Sequence, residues 1–286
     1  MIYKLAPILE YRLWGGRQLA KSYHLKNNVY GEAWILSCLN NSNSPIAGSK
    51  KTLKDLFNKN KNIVKEGYKG KSFPLLVKLI DANDDLSIQV HPDVKTEFWH
   101  ILNKKASKLY LGFKKDYKKE DIKQILNKGD ITKCLNHINV INGDSYLINP
   151  GTIHAIGSNT FLIEIQRSAD VTYRLYDFHR KDKNGKEREL HIKDALKVIN
   201  YKKAKLHKSK KNGLLVSCPY FKVYKYKVNK SKTDFAKKNS FHFLTVVEGK
   251  VKVNNINLNQ YESVFIPASE GKYLVKGNAT IVKTTL

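Results

Sequence analysis

The sequence predicts a mainly β chain built as two β-sandwich or jelly-roll barrels with a small helical insertion. Three observations predict it. Short runs rich in Ile, Val, Tyr and Phe, bounded by Gly, Pro and Asn, recur along most of the 286 residues. Helical spacing is confined to a few brief stretches. The tail also echoes the first half: FLTVVEGKVKV (243–253) resembles FWHILNKKASKLYL (98–111), and YESVFIPASEGKYLV (261–275) resembles GDSYLINPGTIHAIG (143–157). Two sets of short strands joined by turns suit two packed all-β units.

Taken in order, WGG at Trp14, Gly15 and Gly16 predicts a tight turn packed under the indole. GEAWILSCL (31–39) reads as a strand with Glu32 and Trp34 on one face. A helix is predicted over 52–64, capped by Thr52 and Asp55 and carrying Leu53, Leu56 and Phe57 as its apolar stripe. FPLLVKLID (73–81) is a nearly continuous apolar run, as in a strand buried on both faces. Its Lys78 lies either at a solvated strand end or against a polar cavity.

LSIQVHPDVKTE (86–97) reads as a strand with Leu86, Ile88 and Val90 on an apolar face. Ser87, Gln89 and His91 share the other face, and Pro92 ends the ladder. FWHIL and SKLYLGF predict two more strands. Residues 116–129 and 130–138 carry helical spacing and form the expected insertion, at about 114–139. SYLIN, TIHAI, FLIEIQ and VTYRLYDF resume the strands. Glu164 shares a face with Leu162 and Gln166, and Arg174 one with Tyr176 and Phe178. Lys183, Asn184 and Gly185 predict a hairpin turn, and 189–199 a helix.

A lysine-rich connection over 201–211 divides a first domain (1–200) from a smaller one (201–286). Aligning Pro267 with Pro150 puts Gly271 where His154 stands, so the second unit is expected to be degenerate and without metal ligands.

The formal net charge is +27. Lys outnumbers Arg and is spread along the chain, which argues against base-reading contacts and a nucleic-acid partner. The same field would attract an anionic small molecule. The three cysteines are widely spaced and make neither a disulfide framework nor a CxxC site, so a reducing cytoplasm is expected. No apolar run is long enough for a membrane span, and the N-terminus does not read as a signal peptide. Oligomeric state is left open.

Gln89, His91, Glu97 and His154 are the residues that could meet as a metal site. Two histidines and a carboxylate form a catalytic zinc set with a position left for water or substrate, and Gln89 adds a weaker oxygen ligand. His100, His137 and His242 lack such company and read as ordinary residues.

KLIDANDDLSIQVHP, KTEFW, NPGTIHAIG and EIQRSADVTYRLYDFHR, with YRLWGG and GEAW, resemble the type I mannose-6-phosphate isomerases in their short bacterial form. The resemblance covers nearly the whole chain. It implies two cupin-like jelly-roll barrels and one zinc ion per chain, held by Gln89, His91, Glu97 and His154. The implied reaction interconverts mannose 6-phosphate and fructose 6-phosphate through an enediolate. The resemblance further implies Arg174 as the active-site arginine. Ser87 and Lys78 would hold the phosphate, which puts Lys78 against the polar cavity. Lys95, Glu164 and Asp170 would lie near the sugar, with Arg180 an additional phosphate candidate. Glu164 is the expected base, with Asp170 and zinc-bound water as rivals. The loop from His91 to Glu97 is shorter than in relatives that insert a helical segment there. Two alternatives remain at this stage: a metal-dependent cupin oxidoreductase and a non-catalytic module that binds anionic sugars.

Overall fold

The structure is a computed structural model and describes residues 1–286 except 27, 40, 41, 207, 210 and 211. Its centre is the strand Leu75–Ala82, buried along its whole length. It lies between Thr160–Arg167 and Glu32–Leu36, so both its edges are paired, and its alternate side chains enter apolar layers on both faces, as its apolar run requires. Around it runs a six-stranded sheet in the order Ser145–Ile148, Glu97–Ile101, Thr160–Arg167, Leu75–Ala82, Glu32–Leu36, Ile8–Glu10. A five-stranded sheet faces it, ordered Leu135–Val140, Ser107–Phe113, His154–Ile156, Ile88–Val90, Tyr173–Tyr176. All the named pairs are antiparallel.

Three apolar layers hold these sheets. Ile80, Trp99, Ile101 and Leu162 meet Leu109, Leu111 and Ile156 between them. The outer face of the five-stranded sheet is covered by the helices Lys119–Asn127 and Ile192–Val198 through Ile122, Leu126, Ala195 and Leu196. The outer face of the six-stranded sheet packs on the helix Leu53–Lys59 and on the C-terminal strands, where Phe73, Phe241 and Phe265 stack. Thr52 and Asp55 cap that helix with the reciprocal bonds expected of them.

The tail forms a seven-stranded sheet whose long strands Lys222–Ala236, His242–Val253 and Gly271–Thr285 send residues from both their ends into one core. Its edge is Tyr3–Leu5, from the opposite end of the chain, paired with Ser263–Ile266. The echoed segments occupy matching places. Glu97–Ile101 pairs with Ser145–Ile148, and His242–Val253 pairs with Ser263–Ile266.

Four local expectations are corrected. Residues 130–138 are not a helix: Asp130 caps a single 3-10 turn at Thr132–Cys134, and Leu135–Val140 then pairs with Ser107–Phe113. Ile138, Val140 and Ile141 are β-branched and suit that edge strand. KYLVKG and ATIVKTTL, which the sequence presents as two separate strand runs, are one strand, continued through Gly277 at φ +134°, where a side chain would strike the Lys250 carbonyl. Leu86 lies before its strand and joins the layer between the sheets, apart from Ile88 and Val90. Arg174 and Tyr176 do not share a face, because the ladder shifts register between them. Of the lysine-rich connection, residues 207, 210 and 211 lie outside the described residues.

Candidate active site

Between the two facing sheets is a cavity of about 270 Å³. The six-stranded sheet supplies Glu32, Lys78, Ile80, Glu97 and Glu164 to its walls. Ser87, Gln89 and Arg174 come from the facing side, where Arg174 lies directly across from Gln89. Asp170 and Thr172, on the loop before Arg174, and Lys95, on the loop before Glu97, complete this part of the rim.

Glu97, which lines the cavity, meets His91 and His154 beside it: the three bring their ligand atoms within 4.8 Å of one another, and all are buried. His154 pairs with Gln89 across adjacent strands, and Glu97 opens its own strand from the opposite sheet. The Gln89 amide is 3.4 Å from His154 Nε2. The Nδ1 atoms of His91 and His154 donate to the carbonyls of Val171 at 2.8 Å and Thr152 at 2.7 Å. That fixes the tautomer and aims both Nε2 lone pairs inward.

His91 Nε2 is then 3.2 Å from Glu97 Oε1, and His154 Nε2 is 3.6 Å from Oε2. Neutral imidazole lone pairs opposed to a carboxylate repel unless a cation lies between them. Glu97 Oε2 is buried with no hydrogen-bond partner. Lys95 Nζ, 3.1 Å from Glu97 Oε1 and 3.3 Å from His91 Nε2, already brings one positive charge to the spot. The donor set thus fits a divalent ion such as zinc.

The electrostatics agree. Burial, then the repulsion that a proton on His91 would add, push His154 down to about 3, and burial and Lys95 lower His91 as well, so both are neutral and able to ligate. Burial opposes ionisation of Glu97, but Lys95 and the histidines win and hold it well below the usual carboxylate value. Glu164 behaves oppositely. Burial, then the Glu97 charge, push it up to about 7, against Lys78, Lys95 and a 2.7 Å bond from Trp99 Nε1. Two carboxylates in one cavity are thereby driven apart in acidity, the pattern of an acid–base site.

Lys78 is buried, with Glu32 Oε1 at 3.6 Å and Glu164 Oε1 at 3.7 Å. Those carboxylates outweigh the cost of burial and raise its pKa. Arg180 does not line the cavity. Its guanidinium donates to the Asp85 carbonyl and lies 3.8 Å from Asp177.

The lining residues that the sequence did not assign to the site include Arg12, Trp14, Glu32, Thr172 and Arg188. Arg12 Nη2 bonds Glu32 Oε2 at 2.7 Å, and Trp34 Nε1 bonds the same oxygen at 2.9 Å. The Glu32–Trp34 face of the strand was the available signal. Nothing local marks Arg188, which is far from Arg174 in sequence.

Comparison with known proteins bears on both halves. Residues 2–123 match the model of the phosphomannose isomerase type I catalytic domain, and residues 211–286 match that of the mannose-6-phosphate isomerase cupin domain. The chain is also 36% identical to a probable mannose-6-phosphate isomerase, GmuF, of Bacillus subtilis, over 96% of this chain and 95% of the relative. The chain belongs to the type I mannose-6-phosphate isomerase family. A crystal structure of the mannose 6-phosphate isomerase from Bacillus subtilis superposes with a TM-score of 0.89 at 29% identity, covering 100% of this chain and 99% of that one. A zinc-bound holo mannose 6-phosphate isomerase, at 16% identity, has the same fold with a TM-score of 0.79, over 99% of this chain and 98% of that one. The C-terminal part is therefore a cupin domain of this family, and no helix among the described residues is long and apolar enough to cross a membrane.

Proposed function

We propose that this chain is a zinc-dependent aldose–ketose isomerase that interconverts mannose 6-phosphate and fructose 6-phosphate. One observation carries the proposal. The buried His91–Glu97–His154 cluster reaches, through Glu97, a cavity that is also lined by a carboxyl group poised near neutrality, Glu164, and by a guanidinium, Arg174.

Isomerisation moves one proton between C2 and C1 and another between the two oxygens, through an enediolate. Zinc held by His91, Glu97 and His154, with Gln89 beside them, would polarise the carbonyl and offset the developing negative charge. Glu164 takes the C2 proton on a carboxylate oxygen and returns it to C1, a role suited to a group that titrates near 7. Trp99 Nε1 fixes its orientation. Lys95 Nζ, beside the ligands, serves the proton moving between the sugar oxygens. Asp170, at the cavity rim, orients a sugar hydroxyl. Arg174 supplies a permanent charge and a fork of donors. Ser87 donates to the phosphate, and Lys78 adds positive potential from behind Glu164. A redox enzyme using the same ligand set has no need of these cations. The three free cysteines suit a reducing cytoplasm.

The test follows fructose 6-phosphate formed from mannose 6-phosphate in a coupled assay, with unphosphorylated mannose as control. Turnover of the phosphorylated sugar and little of mannose is expected. Absence of turnover in zinc-loaded protein would remove the proposal.

A further inference from the structure

Five cationic side chains line the cavity: Arg12, Lys78, Lys95, Arg174 and Arg188. Three of them face carboxylates that line it too. Arg12 is 2.7 Å from Glu32, Lys78 lies between Glu32 and Glu164, and Lys95 is 3.1 Å from Glu97. Asp170, on the loop before Arg174, is a fourth lining carboxylate. Arg174 and Arg188 are placed differently. Arg174 Nη1 bonds only a backbone carbonyl, that of Glu189 at 2.7 Å, and among the described residues no carboxylate stands within 4.0 Å of its guanidinium.

Arg188 does have a carboxylate, but Asp177 lies behind it and does not line the cavity. Asp177 is buried and grips Arg188 through two bonds, Nε to Oδ2 at 2.7 Å and Nη2 to Oδ1 at 2.5 Å. A bidentate grip of this kind fixes the plane of the guanidinium and leaves Nη1 for another acceptor. Burial and the nearby Arg188 charge both depress the pKa of Arg174, so the two guanidinium groups repel each other. Two arginines lining one cavity, neither ion-paired to a carboxylate that lines it, form a receptor for an anion of about two charges.

We propose that Arg188 binds the substrate's phosphate together with Arg174 and Ser87, and that Asp177 is the positioning residue that aims it. This rests on the sugar-phosphate reading above. Arg180, which shares Asp177 from the other side, is a structural partner of the Asp85 loop.

The experiment measures kcat and KM for mannose 6-phosphate, and calorimetric binding of inorganic phosphate, in wild type, Arg188→Ala, Arg188→Lys and Asp177→Asn. Loss of a contact made equally in ground and transition states raises KM far more than it lowers kcat. Arg188→Ala is expected to raise KM and weaken phosphate binding by about tenfold or more. Arg188→Lys keeps the charge without the fork and should fall between. Asp177→Asn leaves the arginine but loosens it, so KM should rise a fewfold with kcat almost unchanged. KM and phosphate affinity within about twofold of wild type in both Arg188 variants would overturn the assignment. If Arg188→Ala fails to fold, Arg188→Lys decides by the same two numbers. If wild type turns over no mannose 6-phosphate, the isomerase reading fails, and phosphate binding by wild type against Arg188→Lys still decides the arginine's role.

Discussion

Glu164 and Glu97 are both buried in one cavity, yet one is pushed up to about 7 and the other held far down. The difference lies in their company. Glu97 has Lys95 and two imidazoles within reach, whereas Glu164 has a single ammonium at 3.7 Å and feels the Glu97 charge. Replacing Glu164 by Gln should cost at least about 100-fold in kcat, the usual yield of a positioned base, with little change in thermal midpoint. Turnover near wild type in that variant would return the role to Asp170. The base must be deprotonated, so kcat/KM should rise with pH through an apparent pKa at or below about 7. A bound cation beside Glu97 moves that value down. Stability has its own pH dependence. His154 and His100 are pushed down to about 3 when folded, against about 6.5 when unfolded. Protonation therefore favours the unfolded chain, and metal-free protein should lose stability as pH falls from about 6.5 towards 3, as urea titrations would show. The ligand residues were legible because their types and the strand period are local. Arg12, Trp14, Glu32 and Arg188 were not, because what recruits them is the closing of two sheets over one cavity.

At the scale of elements, alternation along a strand was a good guide wherever pairing was regular. Glu164 and Leu162 face inward and Ile163 and Ile165 outward along Thr160–Arg167, as period two requires. It misled at irregularities. The register shift after Arg174 sends Arg174 to the cavity and Tyr176 to the opposite layer, and a bulge is not written in the apolar pattern. Residues 130–138 show a different limit, since Ile131, Cys134, Leu135 and Ile138 fit a helical stripe while the strand Ser107–Phe113 offers an open edge to pair. The capped helix Leu53–Lys59 was readable because its signal is entirely local. Asp55→Ala should lower the chemical denaturation midpoint slightly without altering turnover, because it removes half of the capping box and the cap lies on the far side of the six-stranded sheet from the cavity. Gly16→Ala should cost more, about 1–3 kcal/mol, because its Cβ would meet the Asp81 carboxylate that bonds the amides of Gln18 and Leu19.

The whole molecule couples its two ends. Tyr3–Leu5 completes the C-terminal sheet, and residues of the first and last strands share one apolar cluster with the six-stranded sheet. The echo between halves was legible as strands and turns, and the matching pairings bear it out, but nothing local announced that the first strand would join the last sheet. The net charge of +27 also acts at this scale. It should raise the encounter rate with a phosphorylated sugar, so kcat/KM should fall as ionic strength rises, more steeply than kcat. The expectations for turnover depend on a metal at His91, Glu97 and His154. The most direct measurement is turnover of mannose 6-phosphate by protein as purified, after exhaustive chelation, and after return of zinc. The account predicts turnover that disappears with the metal and returns at about one equivalent of zinc per chain. Undiminished turnover in protein shown to be free of metal would contradict it.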